Sequence, residues 1–460
     1  MDFSAANTGL WNPIIQFGII AGLILLANVL RRKVPFIKKT MMPTAVLAGF
    51  ILLIARSVGV LRIDTAFLEG VTYHALGLGF ISMSLRVAEK TKESGAMIGS
   101  KSGALIVSTY LVQALVGLVI SIGLAYTVMP DLFKASGILL PMAYGQGPGQ
   151  ANNVGTTYQA LGMAGGRSFG LSLAAAGYLC ACTVGVVYLN IYSRQGKVRR
   201  VDSATDLSGS VTIDTYQDEN EIPISQSVDK LSVQMALVCL VYLLTYLFTW
   251  GVVSLLNAVA PGVAGTVATL LWGFNFIIGS MIAIICREIL KLLRSAKIMN
   301  RQYQNNYLLS RISGLAFDIM IVGGIGGINI EDLEGLWIPF LLMALAGGIA
   351  TFIYLKYMCK KLYFGYEHEG FFSMYGMLTG TISSGVLLLR EIDPEYETPA
   401  ANNLVTGSSF GIVFGAPVLL LVSMAAKNDI MVFVVFGIII VYLALLLLFM
   451  FKAGKKKNKS

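Results

Sequence analysis

The chain has 460 residues, of which 56% are hydrophobic and only 13% are charged. Soluble domains carry about 25% charged residues, so this composition excludes an ordinary soluble protein and predicts an all-α polytopic membrane protein. The net charge of +9 does not indicate a nucleic-acid partner. Most basic residues lie in short segments between apolar ones, where they act as topology signals.

A hydrocarbon core of about 30 Å requires about 20 mostly apolar residues per helix. The first such segment is interpreted as a true span, because it lacks the basic leader and cleavage site of a signal peptide. In chain order, we predict spans near residues 14–30, 41–57, 72–88, 103–128, 169–192, 232–257, 263–286, 308–328, 337–358, 402–425 and 430–451. Two further apolar stretches, near 135–160 and 371–390, contain closely spaced glycines.

The two glycine-rich stretches share a pattern. Residues 144–153 read Tyr-Gly-Gln-Gly-Pro-Gly-Gln-Ala-Asn-Asn, and residues 375–384 read Tyr-Gly-Met-Leu-Thr-Gly-Thr-Ile-Ser-Ser. The motif Gly-Leu-x-Phe-x-x-Met precedes each stretch, starting at Gly77 and Gly314, and Gly-x-Ser-Phe-Gly follows each one. Glycine-interrupted apolar segments at matching positions of two halves are typical of membrane carriers built from internal repeats.

Each half contains five spans and one glycine-rich stretch, and an odd number of crossings inserts the second half upside down. We therefore predict a first repeat at 1–192, a polar cytoplasmic linker at 193–231 and an inverted second repeat at 232–425. An extra C-terminal span and a basic tail occupy 426–460.

The basic residues indicate how the glycine-rich stretches enter the membrane. If both are re-entrant hairpins, nearly all of the 34 basic residues fall on one side, whereas a full crossing by the first would place the Arg194–Arg200 cluster outside. Because basic loops stay cytoplasmic, we predict that the first hairpin enters from outside and the second from inside. The N-terminus is then external and the C-terminus internal.

Broken helices expose backbone amides that attract anions and carbonyls that coordinate cations. We therefore predict a binding site for a small polar or anionic solute and a hard cation such as sodium at the hairpin tips, against the alternative that these small residues only pack helices closely. The candidate substrate-binding residues are Gln146, Gly147, Gly149, Asn152, Asn153, Thr379, Gly380, Thr381, Ser383 and Ser384. Gly145 and Gly376 are candidate ligands of the coupling ion.

Two charged residues have open roles. Asp318 is the one carboxylate placed inside a predicted span, where ionisable residues are expensive and often functional. It is either a coupling-ion ligand or proton carrier, or a structural partner of a neighbouring group. Arg167 either neutralises a substrate carboxylate or extends its guanidinium to the outer membrane boundary.

The segments Gly145–Gly149, Gly376–Gly385 and Leu388–Pro394 resemble the bacterial sodium/glutamate symporter family, and the likeness extends over roughly residues 14–425. The resemblance implies sodium-coupled uptake of an acidic amino acid across the bacterial cytoplasmic membrane. It also implies a homodimer in which a hairpin-bearing domain moves against a dimerising scaffold, with sodium as coupling ion and no other cofactor or metal.

Three alternatives remain at this stage. A related carrier would transport another organic anion, such as a hydroxycarboxylate, coupled to protons through Asp318. A channel is less favoured, because an inverted repeat suits alternating access. A membrane enzyme would need a nucleophile–base or metal cluster, and the two histidines, His74 and His368, do not supply one.

Overall fold

A computed structural model describes most of the chain. The described residues are 2–35, 37, 42–87, 93–196, 230–259, 261, 267–268, 271–272, 275–393 and 398–452. Most of the predicted linker, from 197 to 229, and the basic tail at Lys455–Lys457 lie outside the described residues.

The described elements are all helical. In chain order they are α1 (Thr8–Lys33), α2 (Thr44–Ser57), α3 (Thr65–Leu85), α4 (Glu93–Ala125), α5 (Leu139–Tyr144), α6 (Pro148–Ala160), α7 (Gly166–Cys180), α8 (Val186–Arg194), α9 (Lys230–Val259), α10 (Asn275–Ser295), α11 (Asn306–Gly326), α12 (Trp337–Leu362), α13 (Glu367–Thr379), α14 (Ile382–Arg390), α15 (Ala400–Ala425) and α16 (Asp429–Lys452). Single 3₁₀ turns precede α5 (Lys134–Ile138) and α12 (Glu331–Leu333).

Eight helices among the described residues are long and apolar enough to cross a membrane, so the chain is a multi-pass membrane protein. They are α1, α4, the continuous helix α7–α8, α9, α11, α12, α15 and α16. Of the other three predicted spans, 41–57 corresponds to α2, which has only 14 residues, and 72–88 corresponds to α3. The span 263–286 corresponds to α10 together with preceding residues that lie partly outside the described set.

The chain divides into two compact units that interleave along the sequence. The larger unit comprises Met1–Thr65, Thr91–Ser203 and Gly324–Ser460, and the smaller unit comprises Ala66–Lys90 and Ala204–Gly323. Both glycine-rich stretches therefore belong to the larger unit. The sequence bounds 192 and 232 do not coincide with these units, because α3 groups with helices that come much later in the chain.

Apolar contacts hold the smaller unit together. Ile81 of α3, Val238 and Val241 of α9, Ala283 of α10 and Leu309 of α11 form a fully buried cluster. Burying such side chains contributes about 1.5–3 kcal/mol each.

Asp318 also belongs to the smaller unit. It lies on α11, and its side chain is exposed at the surface of the chain. Its predicted role as a coupling-ion ligand remains a prediction.

Helix α4 forms the centre of the larger unit. It is apolar on all faces, as expected of a helix surrounded by protein. Two of its serines pair with tyrosines across helices: Tyr363 donates to Ser102 at 2.8 Å and Tyr354 donates to Ser108 at 2.7 Å. These contacts attach α12 and the turn after it to α4.

Candidate functional site

The first glycine-rich stretch is an interrupted helix. Helix α5 ends at Tyr144, and α6 begins with Pro148 in its first turn, a position where the missing proline amide costs nothing. Between them Gly147 adopts φ 88°, a left-handed conformation that is costly for residues with a Cβ atom. The sequence thus encodes the break directly.

The chain reverses direction at this break. Leu139 and Tyr144 of α5 lie against Gly170 and Gly177 of α7, in the same order, so α5 runs parallel to α7. Ala151 of α6 also lies against Gly170, but the later part of α6 approaches the start of α7, so α6 runs antiparallel to it. Helices α5 and α6 therefore form an antiparallel pair with its tip at residues 145–147, which we call the first tip.

The second glycine-rich stretch is interrupted in a similar way. Helix α13 ends at Thr379 and α14 begins at Ile382. A Cβ atom on Gly376 would lie 2.8 Å from the Cα atom of Gly385, and one on Gly380 would lie 2.9 Å from Ser384 Oγ. Helices α13 and α14 thus also pack as an antiparallel pair, whose turn at residues 380–381 we call the second tip.

The two tips meet within the larger unit. A Cβ atom on Gly147 would lie 3.6 Å from Thr381 Cγ2, 3.7 Å from the carbonyl oxygen of Gly380 and 3.9 Å from Tyr178 Oη. The carbonyl oxygen of Thr379 lies directly against Gly177, the neighbour of Tyr178 on α7. Helix α7 is therefore the surface on which both tips rest.

The electrostatics of the tips follow from the helix ends that converge there. The N-termini of α6 and α14 bring backbone amides that no side chain caps among the described residues, and the C-termini of α5 and α13 bring carbonyls. Amide ends attract anions and carbonyl ends attract cations. The arrangement can therefore hold both kinds of ligand.

Several buried oxygens around the tips find no hydrogen-bond partner in the described part of the chain. They are Oε1 of Gln150 in the first turn of α6, Oγ1 of Thr381, Oγ of Ser384 and the hydroxyl of Tyr375. Gln150 and Ser384 are only 2% and 3% exposed. A buried polar group without a partner costs about 1–3 kcal/mol, so these four oxygens suit a polar ligand or water.

Arg167 and Asn152 form a contact of their own. Arg167 is 4% exposed, which argues against the alternative that it extends to the membrane boundary. Its guanidinium donates from Nε to Asn152 Oδ1 at 2.9 Å and from Nη1 to the carbonyl oxygen of Gly327 at 3.0 Å. Because Gly327 directly follows α11, this cation also complements the negative end of a helix.

The sequence reasoning missed Gln113 on α4. Its fully buried side chain donates from Nε2 to the carbonyl oxygen of Leu378 at 2.8 Å and to Thr351 Oγ1 at 2.9 Å. Leu378 lies in the last turn of α13, two residues before the second tip, so Gln113 fixes the position of that tip. The signal was a lone amide in the middle of an apolar span, a position where polar residues are expensive.

The other predicted site residues are distributed around these features. Gly145 is buried in the first tip, Gly149 is buried in the first turn of α6, and Asn153 is buried on α6 beside Asn152. Gln146 is half-buried at the first tip. Thr379 is fully buried, but its hydroxyl donates to Tyr375 of its own helix. The side chain of Ser383 lies outside the described set.

Comparison with known proteins gave no match: no protein-family model and no curated protein sequence matches this chain.

Proposed function

We propose that the protein is a secondary active transporter that couples the uptake of glutamate or a similar small carboxylate to sodium. The observation that carries the proposal is the meeting of two broken helix pairs in one compact unit. Around the meeting point, buried oxygens of Gln150, Thr381 and Ser384 have no hydrogen-bond partner among the residues that the structure describes. A purely structural packing site would pair or remove such groups.

The membrane supplies the physical reason for a solute pathway. Backbone that leaves helical geometry at membrane depth is tolerated only where protein covers it or where water and solute enter. On this proposal, the two antiparallel pairs are re-entrant hairpins of an inverted repeat, one entering from each side. The tips then meet near the middle of the bilayer, and movement of the larger unit exposes them alternately to each side, as in an elevator.

The chemistry of the tips favours an anionic substrate. The first turns of α6 and α14 offer backbone amides, and the described side chains around the tips are amides and hydroxyls rather than carboxylates. Amides, hydroxyls and helix N-termini bind carboxylates without adding negative charge. The Arg167 guanidinium, which donates a hydrogen bond to Asn152 on α6, adds long-range positive potential to the same region.

The chemistry also accommodates sodium as the coupling ion. Helices α5 and α13 end at the tips, and their C-termini present backbone carbonyl oxygens there. Hard cations prefer carbonyl and hydroxyl oxygens as ligands. A cation and an anion bound side by side each favour the loaded state, so each raises the affinity for the other. Reciprocal coupling of this kind is the thermodynamic requirement of a symporter.

We further propose that the protein lies in the bacterial cytoplasmic membrane as a homodimer, with its N-terminus outside and its C-terminus inside. The orientation is supported by the distribution of lysine and arginine over the short loops. Labelling of single cysteines at residues 5 and 456 from either side of intact cells would test the orientation.

The function is tested by uptake into proteoliposomes. Radiolabelled glutamate should accumulate with an inward sodium gradient and not with potassium in its place. Uptake driven by a proton gradient alone would instead support the alternative organic-anion carrier, and flux that does not saturate would support a channel.

Two variants test the site itself. Ser384→Ala removes a buried hydroxyl at the second tip, and Asn153→Ala removes an amide near the first tip; we expect both to abolish uptake while membrane insertion stays normal. Ser57→Ala is the matched control, since the exposed Ser57 hydroxyl donates only to Leu53 of its own helix. Uptake at the wild-type rate in both site variants would refute the assignment of the tips.

A further inference from the structure

Two stripes of side chains on neighbouring helices of the larger unit share one design. On α8, Val187, Ile191 and Arg194 follow each other at helical spacings of four and three residues, and all three are exposed. The stripe is aliphatic for two turns and ends in a cation. Residues at such spacings lie on one face of a helix.

Helix α12 carries the second stripe. Ile349, Ile353, Lys356 and Lys360 are spaced by four, three and four residues, and all four are exposed. This stripe is also aliphatic first and cationic at its end. Neither stripe contains an acidic residue.

The helices that carry the two stripes pack against each other through side chains next to the stripes. The ammonium group of Lys356 sits 5.3 Å from the ring centre of Tyr188 on α8, and the rings of Tyr188 and Phe352 are 4.7 Å apart. Earlier along both helices, Cys180 lies against Gly348. The contacts advance in the same direction along both helices, so the helices are parallel and Arg194 and Lys360 share one end.

We propose that this seam, formed by the α8 and α12 stripes, binds one anionic phospholipid. An acyl chain would lie along Val187, Ile191, Ile349 and Ile353, and Lys356, Lys360 and Arg194 would hold the headgroup phosphate. Lysine side chains lay their methylene groups on apolar surface and present the ammonium to the membrane interface. Basic pockets between helices at that depth select anionic headgroups, and arginine can contact a phosphate through two hydrogen bonds.

The helix that carries the α8 stripe also supports the tips. The α7–α8 helix contains a π-helical turn, Ala181–Gly185, and such turns often mark functional positions in a helix. A Cβ atom on Gly185 would lie 2.9 Å from Leu388 Cδ1 of α14, and Cys180 lies 3.5 Å from the Tyr144 hydroxyl. A lipid in the seam therefore packs on the helix that supports both tips, and its binding should stabilise the folded protein.

The experiment uses purified full-length protein in a neutral detergent, titrated with phosphatidylglycerol or phosphatidylcholine. Retained lipid is counted by native mass spectrometry, and stability is followed by thermal unfolding. We expect phosphatidylglycerol to bind and to raise the melting temperature more than phosphatidylcholine. Each lysine should contribute about fivefold, so the double variant K356Q/K360Q should weaken phosphatidylglycerol binding about twenty-five-fold.

The matched control is the double variant K33Q/K452Q, which removes two exposed lysines from the ends of α1 and α16. It should bind phosphatidylglycerol like the wild type. Equal stabilisation by both lipids, unchanged binding by K356Q/K360Q, or an equal loss in the control would overturn the proposal. Equal stabilisation by soluble glycerol 3-phosphate would also overturn it, because that result would show a site for a free phosphate. None of these readouts depends on transport.

Discussion

Replacing Gly376 by alanine tests whether the close approach of α13 and α14 sets the geometry of the second tip. The added Cβ atom would lie 2.8 Å from Gly385 Cα, Gly385 N and the Ser384 carbonyl oxygen, whereas ordinary contacts begin at 3.4 Å. All three neighbours are backbone atoms that cannot rotate away. The two helices must separate locally by about 0.6 Å, the difference between 3.4 and 2.8 Å.

Two effects decide the stability of this variant. Overpacking of a well-packed site costs about 1–3 kcal/mol, while alanine in a helix interior gains about 0.5–1 kcal/mol over glycine. The net result is a loss of up to about 2.5 kcal/mol. Ligand binding should be more sensitive to this displacement than stability is, because functional groups must stay within about 0.5 Å of their working positions. We expect affinity for substrate and sodium to fall at least about tenfold.

The assay compares thermal unfolding and initial uptake rates of Gly376→Ala with those of Gly18→Ala. A Cβ atom on Gly18 of α1 would meet no atom within 4 Å, so this control should be as stable as the wild type or slightly more stable. The substitution at Gly376 keeps the backbone carbonyl, so any loss arises from packing. Native stability and uptake in Gly376→Ala, or an equal loss in the control, would refute the reasoning.

Three further substitutions test other parts of the site. Gln113→Leu removes two buried hydrogen bonds and should lower the unfolding free energy by about 1–3 kcal/mol in thermal or denaturant unfolding, with the exposed Gln195→Leu as control. Arg167→Gln should destabilise the protein by about 2 kcal/mol or more, because two acceptors lose a charged donor; intact stability with lost substrate binding would show instead that Arg167 contacts substrate. Asp318→Asn should abolish sodium-dependent uptake if Asp318 binds the coupling ion, and uptake that keeps its sodium dependence would assign it a structural role.

The sequence predicted the helical membrane class and the two breaks because both have local causes. Composition alone decides whether a chain can remain in water, and glycine with proline at 145–149 interrupts a helix wherever it occurs. The positions of α1, α9, α12 and α16 follow from long apolar runs. Helix α2 is shorter than the predicted span 41–57 because it begins only at Thr44, after Pro43; it ends at Ser57, where the span was predicted to end.

Features that depend on which helices are neighbours could not be predicted. Gln113 is only an amide in an apolar span until the structure brings α4 beside Leu378. The grouping of α3 with helices more than 140 residues later in the chain, such as α9, has no local signature. Arg167 shows the same limit, because the sequence offered two roles for its charge and neither included the carbonyl oxygen of Gly327.

The energetic balance at the tips supports the proposal that the two breaks form one site. Each interruption leaves helix ends uncapped by side chains, and each unpaired group in an apolar surrounding costs about 1–3 kcal/mol or more. Tight contacts of α7 with both pairs, at Gly170 and Gly177, hold these ends in place despite that cost. A ligand that supplies hydrogen-bond or ionic partners to these oxygens and amides removes this free-energy cost. A cation and an anion arriving together satisfy both kinds of helix end at once, whereas either alone leaves one kind unpaired. On the proposed function, the same balance favours coupled movement of two solutes over movement of one.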